Sequence, residues 1–291
     1  MSQPHGGYYL PDPSHWPITG SIGLFTIFVG AAIALNGSQF GAFVMVAGTV
    51  VLLYMLFGWF GTVIGESVRG TYNDQVDVSF RWGMFWFIFS EVMFFAAFFG
   101  ALFYIRVFAT EWIGTTELLW PEYEPVWPTA GPQGPVPVPP ETLLGPNQFT
   151  PMAAWGIPAL NTLILLSSGG TITWAHWGLL KDNRGQLVTG LFLTIALGVT
   201  FLAFQAYEYV HAYTELGLTL KTGIYGTTFF MLTGFHGFHV TIGTIMLIAI
   251  FGRALKGHFR PDNHFGFEAV AWYWHFVDVV WLFLFIFVYW L

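Results

Sequence analysis

Glu91, His236, His239, Glu268, His275 and Asp278 are ionisable residues set inside runs that are otherwise apolar and aromatic. Ionisable groups are expensive in hydrocarbon, so such residues face protein, headgroups or water and mark candidate sites. Glu91 lies within RWGMFWFIFSEVMFFAAFFGALFY. Its helical neighbours at three and four positions, Phe87, Ile88, Phe94 and Phe95, cannot pair with it. Its carboxyl must stay protonated or meet a partner from another helix. Two roles satisfy that requirement: a proton-exchanging or lipid-contacting group, and a protonated hydrogen bond between helices. His239 is the candidate partner.

His236 and His239 stand three apart in GFHGFHV, on roughly one helix face. The spacing could hold a metal, but two imidazoles are an incomplete site. The flanking Gly234 and Gly237 fit close helix packing instead. Glu268, His275 and Asp278 follow a seven-residue and then a three-residue step, which places them coarsely on one face of the last apolar run. Such a set could relay protons or supply part of a carboxylate metal site. Glu268 lies near the inner end, where water or headgroups also account for it; Asp278 is deeper.

Arg253, Lys256, His258 and Arg260 gather at one end of an apolar run. A basic group at that depth is a seat for an anionic lipid phosphate, although the positive-inside bias alone would also place it there. Trp59 and Glu66 could line the same kind of groove, and Trp59 by itself also suits an interfacial anchor. The sequence has no P-loop, dinucleotide fingerprint or CxxCH motif, and no convincing set of axial haem ligands.

The elements that must position these residues are membrane helices. Of 291 residues, 55% are hydrophobic and 9% charged, far below the roughly 25% charged of soluble domains. An all-α polytopic fold follows, because a β-barrel would show short alternating segments. Seven spans are predicted, at 18–36, 41–66, 80–108, 152–178, 187–212, 222–254 and 265–290. Each is near or above the ~20 residues a bilayer needs. They divide the chain into an N-terminal arm (1–17), the first two spans (18–66), an inner connection with the third span (67–110), a proline-rich outer loop (111–150) and the last four spans (151–291). The loop holds nine of the sixteen prolines and five glutamates, and reads as an extended cover or flexible arm.

Seven of the nine basic residues (Arg69, Arg81, Lys181, Arg184, Arg253, Lys256 and Arg260) fall on one side, against Arg106 and Lys221 on the other. That bias predicts a cytoplasmic N-terminus and an outer C-terminus. No Lys or Arg precedes the first apolar run, so the first span is expected to stay in the mature protein. The absence of cysteine excludes disulfides, iron–sulfur clusters and thiolate metal sites. The net charge of -7, with no basic patch, argues against a nucleic-acid partner.

DPSHWPITG (12–20), RWGMFWFIFSEVMFF (81–95), LNTLILLSSGGTITWAHW (160–177), FQAYEY (204–209), YGTTFFMLTGFHGFHV (225–240) and HFGFEAVAWYWHFVDVVWLFLF (264–285) run in order over nearly the whole chain. In these segments the chain resembles subunit III of the haem–copper cytochrome c oxidases. The resemblance implies seven transmembrane helices in a two-plus-five arrangement around a cleft filled with phospholipid. It implies a non-catalytic subunit, with haem a and copper held by partner subunits. The partners are the catalytic subunit I and the copper-bearing subunit II, with cytochrome c met only through the complex. It implies support for proton uptake during reduction of oxygen to water. Glu91 then matches the buried carboxyl of the SEV motif, Trp59 and Glu66 the cleft-facing positions, and Arg253, Lys256 and His258 the headgroup contacts. The long proline-rich loop and the N-terminal arm suggest a bacterial protein of the plasma (inner) membrane, its C-terminus in the periplasm. A proton-coupled transporter using Glu91 and Asp278 is the alternative from another class, but no internal repeat supports it. A quinol oxidase subunit is a third reading, which the seven spans and the DPSHWPITG start disfavour.

Overall fold

A computed structural model describes residues 12–134 and 149–291. The first part of the N-terminal arm and the core of the proline-rich loop, including Glu141, lie outside the described residues. The chain forms two compact units, 1–80 and 81–291. The division between them falls inside the third long helix, Asp74–Tyr104.

In the first unit, α1 (Trp16–Leu35) and α2 (Phe40–Arg69) are joined by a turn with Gly37 at φ +86°. Their lengths follow from apolar runs, and their approach follows from glycine. Gly23, Gly30, Gly41 and Gly48 face the opposite backbone, and a Cβ on Gly30 would stand 2.5 Å from Met45 N. Helices in lipid gain no hydrophobic drive to associate, so close backbone approach supplies the packing. Trp16 donates from Nε1 to Thr62 Oγ1 at 3.2 Å, and its ring fills the space beside Gly58. α2 stops at Gly70, a left-handed residue at φ +69°.

α3 (Asp74–Tyr104) opens with Asp74 and Asp77 in its first turn, where the helix dipole favours negative charge. It runs through a π turn, Ile105–Ala109, into the short α4 (Thr110–Gly114). The second unit continues with α5 (Ile157–Leu180), α6 (Arg184–Thr214), α7 (Gly223–Leu255) and α8 (Phe265–Leu284), which ends in a π turn, Phe285–Trp290. The tight α5–α6 link is fixed by Asn183, whose side chain accepts from Gln186 N at 3.1 Å. α5, α6, α7 and α8 close a bundle in which each packs on two others. α3 meets it through large rings, with Phe94 and Phe98 against Phe235 and Phe95 against Phe276. Trp274 and Trp281 are wholly buried at the centre. Each satisfies its indole N–H on α5, at Ser168 Oγ and Thr162 Oγ1, both at 2.9 Å.

Among the described residues, six helical segments are both long and apolar enough to cross a membrane. α5, the expected fourth span, is the exception. At 24 residues it is about 36 Å long, enough for a ~30 Å hydrocarbon core. It falls short in hydropathy because it carries Asn161, Ser167, Ser168, Thr171, Thr173 and His176. Asn161 and Ser168 are fully buried in the bundle, so part of its polarity is turned toward protein. The fold is all-α and polytopic.

Candidate functional site

Glu91 of α3 meets His239 of α7, with Oε2 2.8 Å from Nε2. The other ring nitrogen, Nδ1, lies 2.6 Å from Phe235 O, a carbonyl that can only accept. Nδ1 therefore carries hydrogen. A neutral imidazole then accepts from a protonated carboxyl at Nε2, and a doubly protonated one donates to a carboxylate. Either way the pair holds one proton between two atoms and carries no net charge. Phe94, Phe95, Tyr273 and Phe276 surround the imidazole. His236 is fully buried, with Nε2 donating to Val277 O at 3.1 Å and the ring against Trp281. The two imidazoles thus serve different carbonyls and do not assemble a metal pair.

The trio on the last helix separates into two groups. Glu268 joins Arg81 of α3 in an ion pair and approaches His264 at 3.2 Å and His176 at 3.8 Å. His176, His264 and Glu268 are the one group of metal-ligating side chains clustered this closely among the described residues. The Arg81 guanidinium already supplies the positive charge that Glu268 requires. One level deeper, His275 Nδ1 lies 3.6 Å from Asp278 Oδ2, and His275 Nε2 lies 3.3 Å from Thr173 Oγ1 of α5. Seven helical residues span about 10 Å, so Glu268 and His275 share a face but not a site.

At the end of α7, Arg253 lies over the Phe259 ring, 4.5 Å from its centroid. Arg253 Nε and His258 Nδ1 are buried with no hydrogen-bond partner, and no carboxylate pairs with Arg253 among the described residues. His258, in the loop after α7, has its pKa lowered by burial and then by the charges of Arg253 and Lys256. The imidazole is therefore neutral at pH 7, and the positive charge at this end belongs to the flanking Arg253, Lys256 and Arg260. In the first unit Trp59 is half exposed, and Glu66 Oε2 accepts from the Tyr72 hydroxyl at 2.6 Å.

A further buried carboxyl sits on α6. Glu208 is 1% exposed, and its Oε1 accepts from the Tyr289 hydroxyl at 2.5 Å. Its Oε2, and both amide atoms of Gln205 one turn earlier, have no partner.

Residues 6–129 and 139–291 match the family described as cytochrome c oxidase subunit III. The chain is 44% identical over 291 residues to a protein named cytochrome c oxidase subunit 3 from Marchantia polymorpha, covering 100% of this chain and 98% of that one. It is 43% identical over 290 residues to the Arabidopsis thaliana protein of the same name, covering 99% and 97%. For the Drosophila melanogaster protein, also so named, identity is 41% over 284 residues, covering 97% and 96%. The chain belongs to the cytochrome c oxidase subunit III family. As a cytochrome c oxidase subunit III it is part of an enzyme complex, working in a membrane beside other oxidase subunits.

Within this subunit III, Glu208 is the residue that sequence reasoning passed over. FQAYEY carries family resemblance and also holds Gln205 and Glu208. The criterion that found Glu91, a carboxyl inside an apolar span, applies equally to Glu208. Its three-residue step from Gln205 puts both on one helix face.

Proposed function

We propose that the chain is the non-catalytic subunit III of a proton-pumping cytochrome c oxidase, holding phospholipid in a cleft and stabilising the catalytic subunit. The observation that carries the lipid reading is the cluster of Arg253, Lys256 and Arg260 around the end of α7, where no carboxylate pairs with Arg253 among the described residues. A headgroup phosphate supplies the counter-charge, and the charges of Arg253 and Lys256 favour its anionic form. Trp59, Glu66 and Glu91 are each assigned to lipid contact in this reading, and the pairing of Glu91 with His239 supports proton uptake. No redox centre belongs to this chain: haem a and copper are held by partner subunits I and II. Cytochrome c is met through the complex, and no nucleic acid is bound. The chain lies in a bacterial plasma membrane with a cytoplasmic N-terminus and a periplasmic C-terminus, which the one-sided basic residues support.

The test is purification of the tagged chain with its oxidase in mild detergent. A reduced haem a spectrum and oxygen consumption from reduced cytochrome c are expected to accompany it. Arg253→Ala should lower co-purified phospholipid several-fold and shorten the active lifetime during turnover. Glu91→Gln should slow proton uptake. Unaltered turnover, lipid content and lifetime in both variants would remove the assigned residues from the function.

A further inference from the structure

Two imidazoles and a carboxylate oxygen converge where the end of α5 meets the start of α8. His176 Nε2 lies 3.4 Å from His264 Nε2. Glu268 Oε1 lies 3.2 Å from His264 Nε2 and 3.8 Å from His176 Nε2. Ligand atoms held about 2.0–2.1 Å from a tetrahedral zinc ion stand about 3.3–3.4 Å from one another. The edges of this triangle bracket that spacing, so one ion reaches all three atoms with small side-chain shifts.

The surroundings aim these atoms at a common point. His264 and Glu268 stand four apart, on one face of the first turn of α8. His264 Nδ1 lies 3.1 Å from Arg260 O, a carbonyl that only accepts, so Nδ1 carries hydrogen. The neutral ring then turns a lone pair at Nε2 toward the other two atoms. A carbonyl on the far nitrogen is the outer-shell support typical of metal-binding histidines. The His176 ring packs against Phe267, 5.3 Å between centroids. Arg81 pairs with Glu268 Oε2 and leaves Oε1 to the imidazoles. Of the three converging atoms, only His176 Nε2 is then free to carry a hydrogen, and it can serve one neighbour. A cation between them serves all three. The side chains of His176, His264 and Glu268 are 28%, 9% and 14% exposed, so water reaches the group through His176.

We infer that His176, His264 and Glu268 form a binding site for a divalent cation of the zinc type, with a fourth position left to water. Imidazole donors suit zinc and its neighbours, whereas Mg2+ and Ca2+ take oxygen ligands. The Arg81 charge beside Glu268 opposes a second cation, which makes the site exchangeable rather than structural. The inference does not depend on the lipid or proton roles proposed above.

The test strips the intact, purified oxidase with a chelator and dialyses it against a Zn2+ series, counting bound zinc per haem a. His176→Gln and His264→Gln are each expected to weaken one zinc ion per complex by about tenfold or more. His211→Gln is the control, because His211 pairs with Glu215 alone at 3.1 Å, and zinc binding should not change. An excess of Mg2+ should not displace the ion. A second measurement needs no variant. In the wild-type complex, Zn2+ should slow acylation of His176 by diethyl pyrocarbonate about tenfold, read by mass spectrometry, and should leave His211 reactive. Equal zinc binding by wild type and both variants, displacement by Mg2+, or equal protection of His176 and His211 would each overturn the inference and leave a hydrogen-bonded trio that holds only a proton.

Discussion

Gly41→Val is expected to force α1 and α2 apart and to cost the first unit more stability than a substitution at any other glycine of that pair. A Cβ at Gly41 would stand 2.3 Å from Ala34 N and 2.6 Å from Gly30 O. Both are backbone atoms, so no rotamer change relieves the clash, and the valine methyls enlarge it. Overpacking costs about 1–3 kcal/mol where side chains can adjust, and this contact sits at the top of that range or above it. Gly61→Ala is the internal control. Nothing lies within 4 Å of a Cβ at Gly61, and alanine favours the helix by up to about 1 kcal/mol. The measurement is the thermal midpoint of the chain in its purified complex, together with protease cleavage at the 36–39 turn. Gly41→Val should lower the midpoint and speed cleavage; Gly61→Ala should do neither. Equal behaviour of the two variants would mean that the close approach of the α1 and α2 backbones does not hold this unit together.

The spans were legible because hydrocarbon leaves few solutions: long apolar runs must be helices that satisfy their own backbone. α5 shows where that rule thins. The sequence predicts a span over 152–178, but its hydropathy is lowered by residues such as Asn161 and Ser168, which are buried where α6 and α8 pack on α5. Asn161 Nδ2 donates to Phe201 O at 3.4 Å, and Ser168 Oγ accepts from Trp274. Polarity that tertiary packing absorbs looks, in one dimension, like a weaker membrane helix.

The candidate site was legible by residue and much less so by grouping. A carboxyl amid Phe87, Ile88, Phe94 and Phe95 needs a partner from elsewhere, and the sequence offered His239, which lies 2.8 Å away. The grouping of Glu268 with His275 and Asp278 followed from helical phase alone. Phase fixes a face but not what covers it: Arg81 and His176 reach Glu268 from two other helices, beside His264 one turn before it. The basic cluster was legible as charge. That Arg253 Nε and His258 Nδ1 are buried without hydrogen-bond partners is a property of the folded loop.

Tyr289→Phe is expected to produce the second large effect, at the carboxyl that the sequence reading overlooked. Phenylalanine fills the same volume, so no cavity opens and the change is confined to one hydroxyl. That hydroxyl is the donor to Glu208 Oε1, while Oε2 already lacks a partner. Without it a carboxyl that is 1% exposed faces the bundle interior with neither oxygen satisfied. The cost is about 1–3 kcal/mol, and more for a charged acceptor, because the desolvation penalty stays when the partner goes. The same asymmetry predicts the double variant. Tyr289→Phe with Glu208→Leu removes donor and acceptor together and should recover much of the loss, whereas independent effects would add. Glu208→Gln keeps an acceptor for the Tyr289 hydroxyl and should stay near wild type. Thermal midpoints of these variants and of Glu208→Leu alone, in the intact complex, decide it. Strict additivity in the double variant would mean that Tyr289 acts through packing with Phe229 and Trp281, whose rings it also touches, and that the hydrogen bond to Glu208 contributes nothing.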